Sequence, residues 1–182
     1  MSTDKKNVLF FVRIIGVLLV ITMCVAALLS VVNEITKDRI AENEAKEIQK
    51  AIGKLFPEYT DLTAELIDTT LDDKTLKGFY EVKNGDAVVG YYANVAPKGF
   101  KGAVNMLIGL KTDGTVCGIE IISSSETPGI GDKIKGKDFL NAVISGKYDT
   151  ISGATYSSKA VINGTKTAIS AYQTVANGQE GE

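Results

Sequence analysis

Residues 103–123 read AVNMLIGLKTDGTVCGIEIIS, a stretch that predicts a β-hairpin. The first half alternates in polarity, which places one more apolar face on a strand, formed by Val104, Met106, Ile108 and Leu110. The pair Asp113-Gly114 follows, and these residue types accept the backbone angles of a tight turn. A second apolar run over Val116 to Ser123 completes the predicted hairpin. Strands with one apolar face are typical of an antiparallel sheet covered on one side.

The segments on either side of this hairpin complete an α+β domain, predicted over residues 75–182. Upstream, Gly78 to Lys83 and Ala87 to Ala96 flank Asn84-Gly85 and predict a second hairpin. Downstream, Ser157 to Ala176 predicts a helix with one apolar face, formed by Val161, Thr165, Ala168, Ile169, Tyr172 and Val175. Strands followed by a helix that packs on them are typical of an α+β fold, here with a mainly antiparallel sheet.

The N-terminal part of the chain predicts a membrane anchor over residues 1–33. No charged residue occurs from Ile14 to Val32, and a helix of that length is roughly 28 Å long, close to the thickness of a bilayer core. The sequence around Ser30 is a poor signal-peptidase site, so we expect a single uncleaved helix. Lys5, Lys6 and Arg13 precede it and favour a cytoplasmic N-terminus, although basic residues also follow it.

Residues 34–74 are interpreted as a helical and irregular connection. Asn33 to Leu55 continues the helix with a period near 3.6, and Pro57 ends it. The polar and acidic stretch from Glu58 to Thr75 predicts an irregular segment or a short helix.

Composition excludes several functions. The chain of 182 residues has a formal net charge of −2 and no histidine. This charge gives no general attraction to nucleic acid, so we expect no nucleic-acid partner. Without histidine, and with Cys24 and Cys117 far apart, no zinc, haem or iron–sulfur site is expected. The chain also lacks the residue patterns typical of a hydrolase, such as a histidine or a closely spaced pair of carboxylates, so we assign no catalytic side chain. Redox chemistry would need a bound cofactor.

Residues 149–158 read DTISGATYSS and join a turn of small residues to the predicted C-terminal helix. Gly153 and Ala154 leave room for a bulky group beside the backbone. Thr155 and Ser157 fall near the helix N-terminus, where free backbone N–H groups and the positive end of the helix dipole stabilise a phosphate. The alternative interpretation is a plain capped helix.

Residues 126–131 read ETPGIG and follow the hairpin of residues 103–123. A Pro-Gly pair favours a turn, and the glycines permit backbone conformations that can bring N–H groups beside a planar ring or an anion. An ordinary connection between a strand and the next helix is the alternative.

Together with Gly99-Phe100-Lys101-Gly102, and in this order, these two stretches resemble an FMN-binding domain shared by two membrane complexes. One contains it in the G subunit of the Rnf-type ferredoxin:NAD oxidoreductase, and the other in the C subunit of the sodium-pumping NADH:quinone oxidoreductase. The resemblance covers about residues 75 to 178, and the short chain is more similar to the Rnf protein.

The resemblance implies specific roles for the two stretches. Thr155 is the implied attachment point of a covalent FMN, through a phosphoester that a separate flavin transferase forms. The implied motif around it consists of Asp149, Ser152, Gly153 and Ala154. The implied flavin-lining residues are Glu126, Thr127, Pro128, Gly129, Ile130 and Gly131. Ile130 stands where the family commonly has leucine.

The function implied by the resemblance is electron transfer within an ion-translocating oxidoreductase of the bacterial cell membrane. The chain would act with the other subunits of that complex, with its globular domain outside the cytoplasm and no catalysis of its own. Three alternatives stay open: the equivalent subunit of the sodium-pumping complex, the anchored FMN domain of another extracytoplasmic reductase, and a cofactor-free anchored binding module.

Overall fold

The computed structural model describes residues 3–69 and 71–179, and it divides the chain into a unit that ends at Ala45 and one that begins at Lys46. Helix α1, Thr3–Leu55, forms the first unit and contributes its last residues to the second. The domain boundaries at residues 33 and 74 stay predictions, and residues 180–182 of the predicted domain lie outside the described residues.

The first unit is an apolar helix with its side chains exposed. Large apolar side chains are exposed from Phe10 to Val32, and the most apolar window has a mean hydropathy of 2.9. The helix is therefore long and apolar enough to cross a membrane, in agreement with the predicted anchor. The side chains of Lys5 and Lys6, on which the predicted orientation partly depends, lie outside those described.

The second unit contains a five-stranded sheet in which every strand pairs antiparallel with the next one in the chain. The strands are β1 (Leu62–Ile67), β2 (Leu76–Asn84), β3 (Ala87–Val95), β4 (Val104–Leu110) and β5 (Val116–Ser124). Both hairpins are confirmed, and with them the α+β class.

Strand β1 corrects the interpretation of Glu58 to Thr75 as an irregular segment or a short helix. It pairs with β2 from Leu62↔Asn84 to Ile67↔Phe79 and forms one edge of the sheet. Its side chains are mostly exposed, including Leu66 at 65%. An edge strand with little burial needs no apolar alternation, so periodicity could not reveal it.

One face of the sheet is covered by three helices that follow it in the chain. These are a 3₁₀ helix (Gly131–Lys135), α2 (Lys137–Ile144) and α3 (Thr155–Gln179). The face predicted on β4 is confirmed, because its four apolar side chains are all fully buried in the core beneath these helices. Val161, Thr165 and Ala168 of α3 are fully buried too, as their period predicts. This packing places the N-terminus of α3 beside the loop that follows β5.

The opposite face of the sheet is covered by the end of α1 and the residue after it. Ala51, Ile52, Leu55 and Phe56 pack there against a second core that includes Val82, Tyr92 and Leu107. Leu107 belongs to the more polar side of β4 by alternation, and this helix end is what buries it.

Candidate cofactor site

The site begins with a tight turn that leads into α3. The Ala154 N–H donates to the Ile151 carbonyl at 2.9 Å, and Gly153 has a φ of 80° at the third position of the turn. Only glycine adopts such an angle readily. The buried Ser158 hydroxyl accepts a hydrogen bond from the Ile151 N–H at 3.1 Å, and the Ser158 N–H donates to the Ala154 carbonyl. Ser158 therefore connects the first residue of the turn, Ile151, and the last, Ala154, to the helix.

Thr155 is the first residue of α3 and is exposed. Among the described residues, the structure gives its hydroxyl no hydrogen-bond partner. Ala154 precedes the helix and has no polar side-chain atom that could cap it, so its side chain leaves the first N–H groups of α3 available. This combination of an exposed hydroxyl and a positive helix end suits an esterified phosphate.

Ser157 has a different role from the helix cap that its position predicts. It is buried, and its hydroxyl donates to Oε2 of Glu126 at 2.5 Å. The other oxygen, Oε1, accepts from the backbone N–H groups of Phe100 at 2.9 Å and Lys101 at 3.2 Å. The buried Glu126 carboxylate thus joins the start of α3, the loop after β5 and the loop before β4.

The backbone approaches this carboxylate closely on two sides. A Cβ atom on Gly99 would lie within 3.0 Å of Oε1, and one on Gly131 would lie 2.8 Å from Oε2. Real Cβ atoms essentially never come so near another heavy atom, so a side chain at either position would displace the Glu126 carboxylate from its present place. The glycines flanking the site therefore make room for the Glu126 side chain.

The loop after Glu126 forms the turn that its Pro-Gly pair predicts. Gly129 has a φ of 75°, and the Thr127 carbonyl accepts from the N–H groups of Ile130 at 3.2 Å and Gly131 at 2.8 Å. Pro128 and Gly129 are exposed at the tip of the turn. Ile130 is also exposed, at 51%, and stands at the cavity described next.

A cavity of about 370 Å³ lies between the loops and the start of α3. This volume is within the range of about 300–1,000 Å³ that is typical of small-molecule sites. Its lining residues are Phe100, Glu126, Thr127, Ile130, Gly131, Gly153, Ala154, Thr155, Tyr156 and Ser157. The cavity therefore joins the Thr155 hydroxyl to an apolar surface large enough for part of an organic cofactor.

Seven of the residues implied by the family resemblance meet at this cavity, and four do not. Ser152, Asp149, Pro128 and Gly129 lie outside its lining. Asp149 and Ser152 are exposed. Three lining residues do not belong to the set implied by the family resemblance: Phe100, Tyr156 and Ser157. Phe100 and Tyr156 lie inside motifs already singled out, and their aromatic character was the signal available.

A metal site is not found in the part of the chain that the structure describes. No group of three or more Cys, Asp or Glu side chains within residues 3–69 and 71–179 is placed to hold an ion.

An exposed hydroxyl at a helix N-terminus, opening into an apolar cavity on an antiparallel α+β domain, is an arrangement that suits a phosphate-bearing cofactor. Comparison with protein families agrees: a model described as "FMN-binding domain" matches residues 99–170, and one described as "RnfG N-terminal region" matches residues 16–55.

Relatives extend the likeness along most of the chain, and each is named as the G subunit of an ion-translocating oxidoreductase complex. The relative from Vibrio vulnificus (strain YJ016) is 28% identical over 181 residues, covering 85% of this chain and 86% of the relative. The relative from Haemophilus influenzae (strain ATCC 51907) is 30% identical over 157 residues, covering 72% and 75%. The relative from Shewanella piezotolerans is 29% identical over 168 residues, covering 78% and 79%. The chain belongs to this family, the G subunits of ion-translocating oxidoreductase complexes.

Proposed function

We propose that this chain carries FMN through a phosphoester to Thr155 and passes electrons within a membrane-bound, ion-translocating ferredoxin:NAD oxidoreductase of the Rnf type. The observation that carries the proposal is the Thr155 hydroxyl, which is exposed at the N-terminus of α3 and lines the apolar cavity. The shared name of the relatives supports the Rnf-type G subunit in preference to the corresponding protein of the sodium-pumping complex.

The residues present fit FMN. The phosphate would be held by the Thr155 oxygen and by the first N–H groups of α3, where the helix dipole favours negative charge. Gly153 leaves space beside the threonine, because a Cβ atom there would meet no protein atom within 4 Å. The apolar lining, which includes Phe100 and Ile130, suits an organic ring.

The flavin supplies the redox chemistry, since it accepts and donates electrons without a protein acid or base. The chain's own residues would supply placement. Thr155 retains the cofactor covalently. Glu126 holds the loops around it, with both carboxylate oxygens engaged by protein groups. Thr155 is thus an attachment residue, and maturation would require a separate flavin transferase.

Helix α1 would anchor the chain in the bacterial cell membrane with the N-terminus in the cytoplasm and the globular domain outside it. A covalent bond has a clear advantage there, because a freely exchanging cofactor would be lost from an extracytoplasmic surface. The other subunits of the complex would be the electron donor and acceptor.

Intact-protein mass spectrometry tests the proposal. The full chain is co-expressed with an active flavin transferase, alongside Thr155→Ala and, as a matched control, Thr150→Ala, which removes an exposed threonine hydroxyl to which no role is assigned. We expect one FMN-sized adduct that survives denaturation on the unaltered chain and on Thr150→Ala, and none on Thr155→Ala. Absence of any adduct, with the transferase proven on a control protein, would refute covalent attachment and favour a cofactor-free binding module.

A further inference from the structure

Large apolar side chains are exposed at few places in the second unit, and most of them surround the cavity. Among the described residues from 46 onward they are Leu66, Phe100, Ile130, Tyr148 and Tyr156. Three of these five line the cavity: Phe100, Ile130 and Tyr156. Exposed apolar groups gathered at one concave place indicate a surface that a ligand or partner covers.

Phe100 and Tyr156 are the most exposed of the three, at 65% and 70%. Their ring centroids lie 6.3 Å apart with an interplanar angle of 42°, so the rings touch at a tilt and are not stacked on each other. Most of each ring therefore stays available to a third planar group.

Local folding gives no reason for an aromatic residue at position 156. The residue lies in the first turn of α3 on the exposed side, where tyrosine has a lower helix propensity than alanine or glutamate. Its ring is outside the core, and the structure gives its hydroxyl no hydrogen bond within residues 3–69 and 71–179. Apart from its tilted contact with Phe100, the ring is exposed and available to a ligand.

The backbone that carries the two rings is held by hydrogen bonds to a single side chain. The Phe100 N–H donates to Oε1 of Glu126, and Ser157, next to Tyr156, donates to Oε2 of the same carboxylate. One buried side chain thereby sets the positions of both aromatic residues relative to Thr155. Because the chain segments that carry the rings are already held in place, less ordering is needed when a ligand binds there.

We propose that Phe100 and Tyr156 form an aromatic platform that contacts the isoalloxazine ring of the FMN. The inference rests on the proposed function, because the attachment point at Thr155 determines which ligand reaches the rings. Stacking on Tyr156 would hold the ring still and place an electron-rich phenol against it. The platform makes Phe100 and Tyr156 ring-positioning residues, distinct from the residue that forms the covalent bond.

Fluorescence of the attached flavin tests the platform on the full chain in detergent. The variants are Tyr156→Leu, Phe100→Leu and Tyr156→Phe, with Tyr148→Leu as a matched control, because Tyr148 is an exposed tyrosine outside the cavity lining. The mass of each protein is measured first, so that emission and anisotropy are compared per attached FMN.

We expect the two leucine variants to lower the fluorescence anisotropy of the flavin, because the ring loses a surface that immobilises it. Emission of Tyr156→Leu should rise, since a phenol in stacking contact with a flavin quenches its fluorescence by electron transfer. Tyr156→Phe should retain the anisotropy of the unaltered chain and still emit more strongly. Tyr148→Leu should match the unaltered chain in both quantities.

Full adducts with unchanged anisotropy and emission in both leucine variants would overturn the platform while leaving covalent attachment intact. In that case the exposed rings would be assigned to contact with another protein of the complex. If Tyr156→Leu is not loaded by the transferase, Phe100→Leu decides the question, with unchanged anisotropy counting against the platform. Absence of an adduct on the unaltered chain is a failure of the proposed function and is recognised before any fluorescence is recorded.

Discussion

Three hydroxyl groups at the start of helix α3, those of Thr155, Ser157 and Ser158, differ in what they contact. At its first residue, Thr155 is exposed and faces the cavity. A few residues further on, Ser157 and Ser158 are buried, and each is hydrogen-bonded to a different loop. The same type of group is therefore exposed without a partner among the described residues at Thr155, and buried with a hydrogen-bond partner at Ser157 and Ser158. The difference lies in burial and in the presence of a partner.

This contrast predicts that stability and cofactor attachment can be separated by mutation. Removal of one of the buried hydrogen-bonding side chains that join α3 to the loops should destabilise the domain. Removal of Thr155 should leave the domain intact and only prevent loading. The experiments below test that separation, beginning with the largest expected change.

Glu126→Ala should produce the largest loss of stability. It leaves the Ser157 hydroxyl and the N–H groups of Phe100 and Lys101 without their acceptor, at a cost of about 3 kcal/mol in the free energy of unfolding. Urea denaturation followed by circular dichroism measures it. Thr155→Ala is the comparison and should change this free energy by less than about 0.5 kcal/mol. An equal loss of unfolding free energy in the two variants would contradict the distinction between a structural residue, Glu126, and an attachment residue, Thr155.

Ser158→Ala should cost about 1–2 kcal/mol, because the Ile151 N–H loses its acceptor in a partly buried place. The turn at Ile151 to Ala154 would then lose one of its two connections to the helix. Ser152→Ala is the control, since it removes an exposed hydroxyl from the same turn. Amide hydrogen exchange of residues 151–158 should accelerate only in Ser158→Ala. Identical exchange in the two variants would contradict the assigned role.

Another buried hydroxyl of α3, that of Thr167, extends the comparison to pH. It donates to Asp73 at 2.7 Å. The pKa of Asp73 is lowered from its ordinary value, mainly by the Thr75 N–H and then by the hydroxyls of Thr167 and Thr75. Folding thus favours the carboxylate, so this contribution is complete above the ordinary pKa of about 4 and is lost as the pH falls through the lowered value.

Asp73→Asn should accordingly flatten the decline in stability at acid pH and cost about 1 kcal/mol or less at neutral pH, because the carboxylate is only partly buried. Denaturant midpoints measured from pH 2 to pH 7 report the effect. Asp72→Asn removes a neighbouring exposed carboxylate of the same charge and serves as the control. A pH profile that is unchanged in Asp73→Asn would show that Thr167 is not tied in the manner described.

Local patterns in the sequence predicted most of the fold. Strand β4 and helix α3 each bury one face, so their apolar residues recur with the period of the element. The Asn-Gly and Asp-Gly turns are equally local. Strand β1 was missed because its main interactions are backbone hydrogen bonds to β2, which any residue type can make.

The cavity was only partly predictable for a related reason. Thr155 could be singled out, because a hydroxyl beside a helix start depends on neighbouring residues alone. The inward orientation of Glu126 depends on groups from Phe100 and Ser157, which are distant in the chain and meet only in the folded domain. A carboxylate in a glycine-rich loop is equally compatible with facing a ligand, so its role as a tie required the structure.

The end of α1 has a consequence for where the chain can be shortened. Ala51, Ile52 and Leu55 cover Val82, Tyr92 and Leu107 on one face of the sheet. A fragment that begins at residue 75 would expose that face to water and is expected to aggregate. A fragment that begins at Lys46 retains the cover and omits the apolar stretch from Phe10 to Val32. The second unit therefore contains the last turns of helix α1 as part of its core.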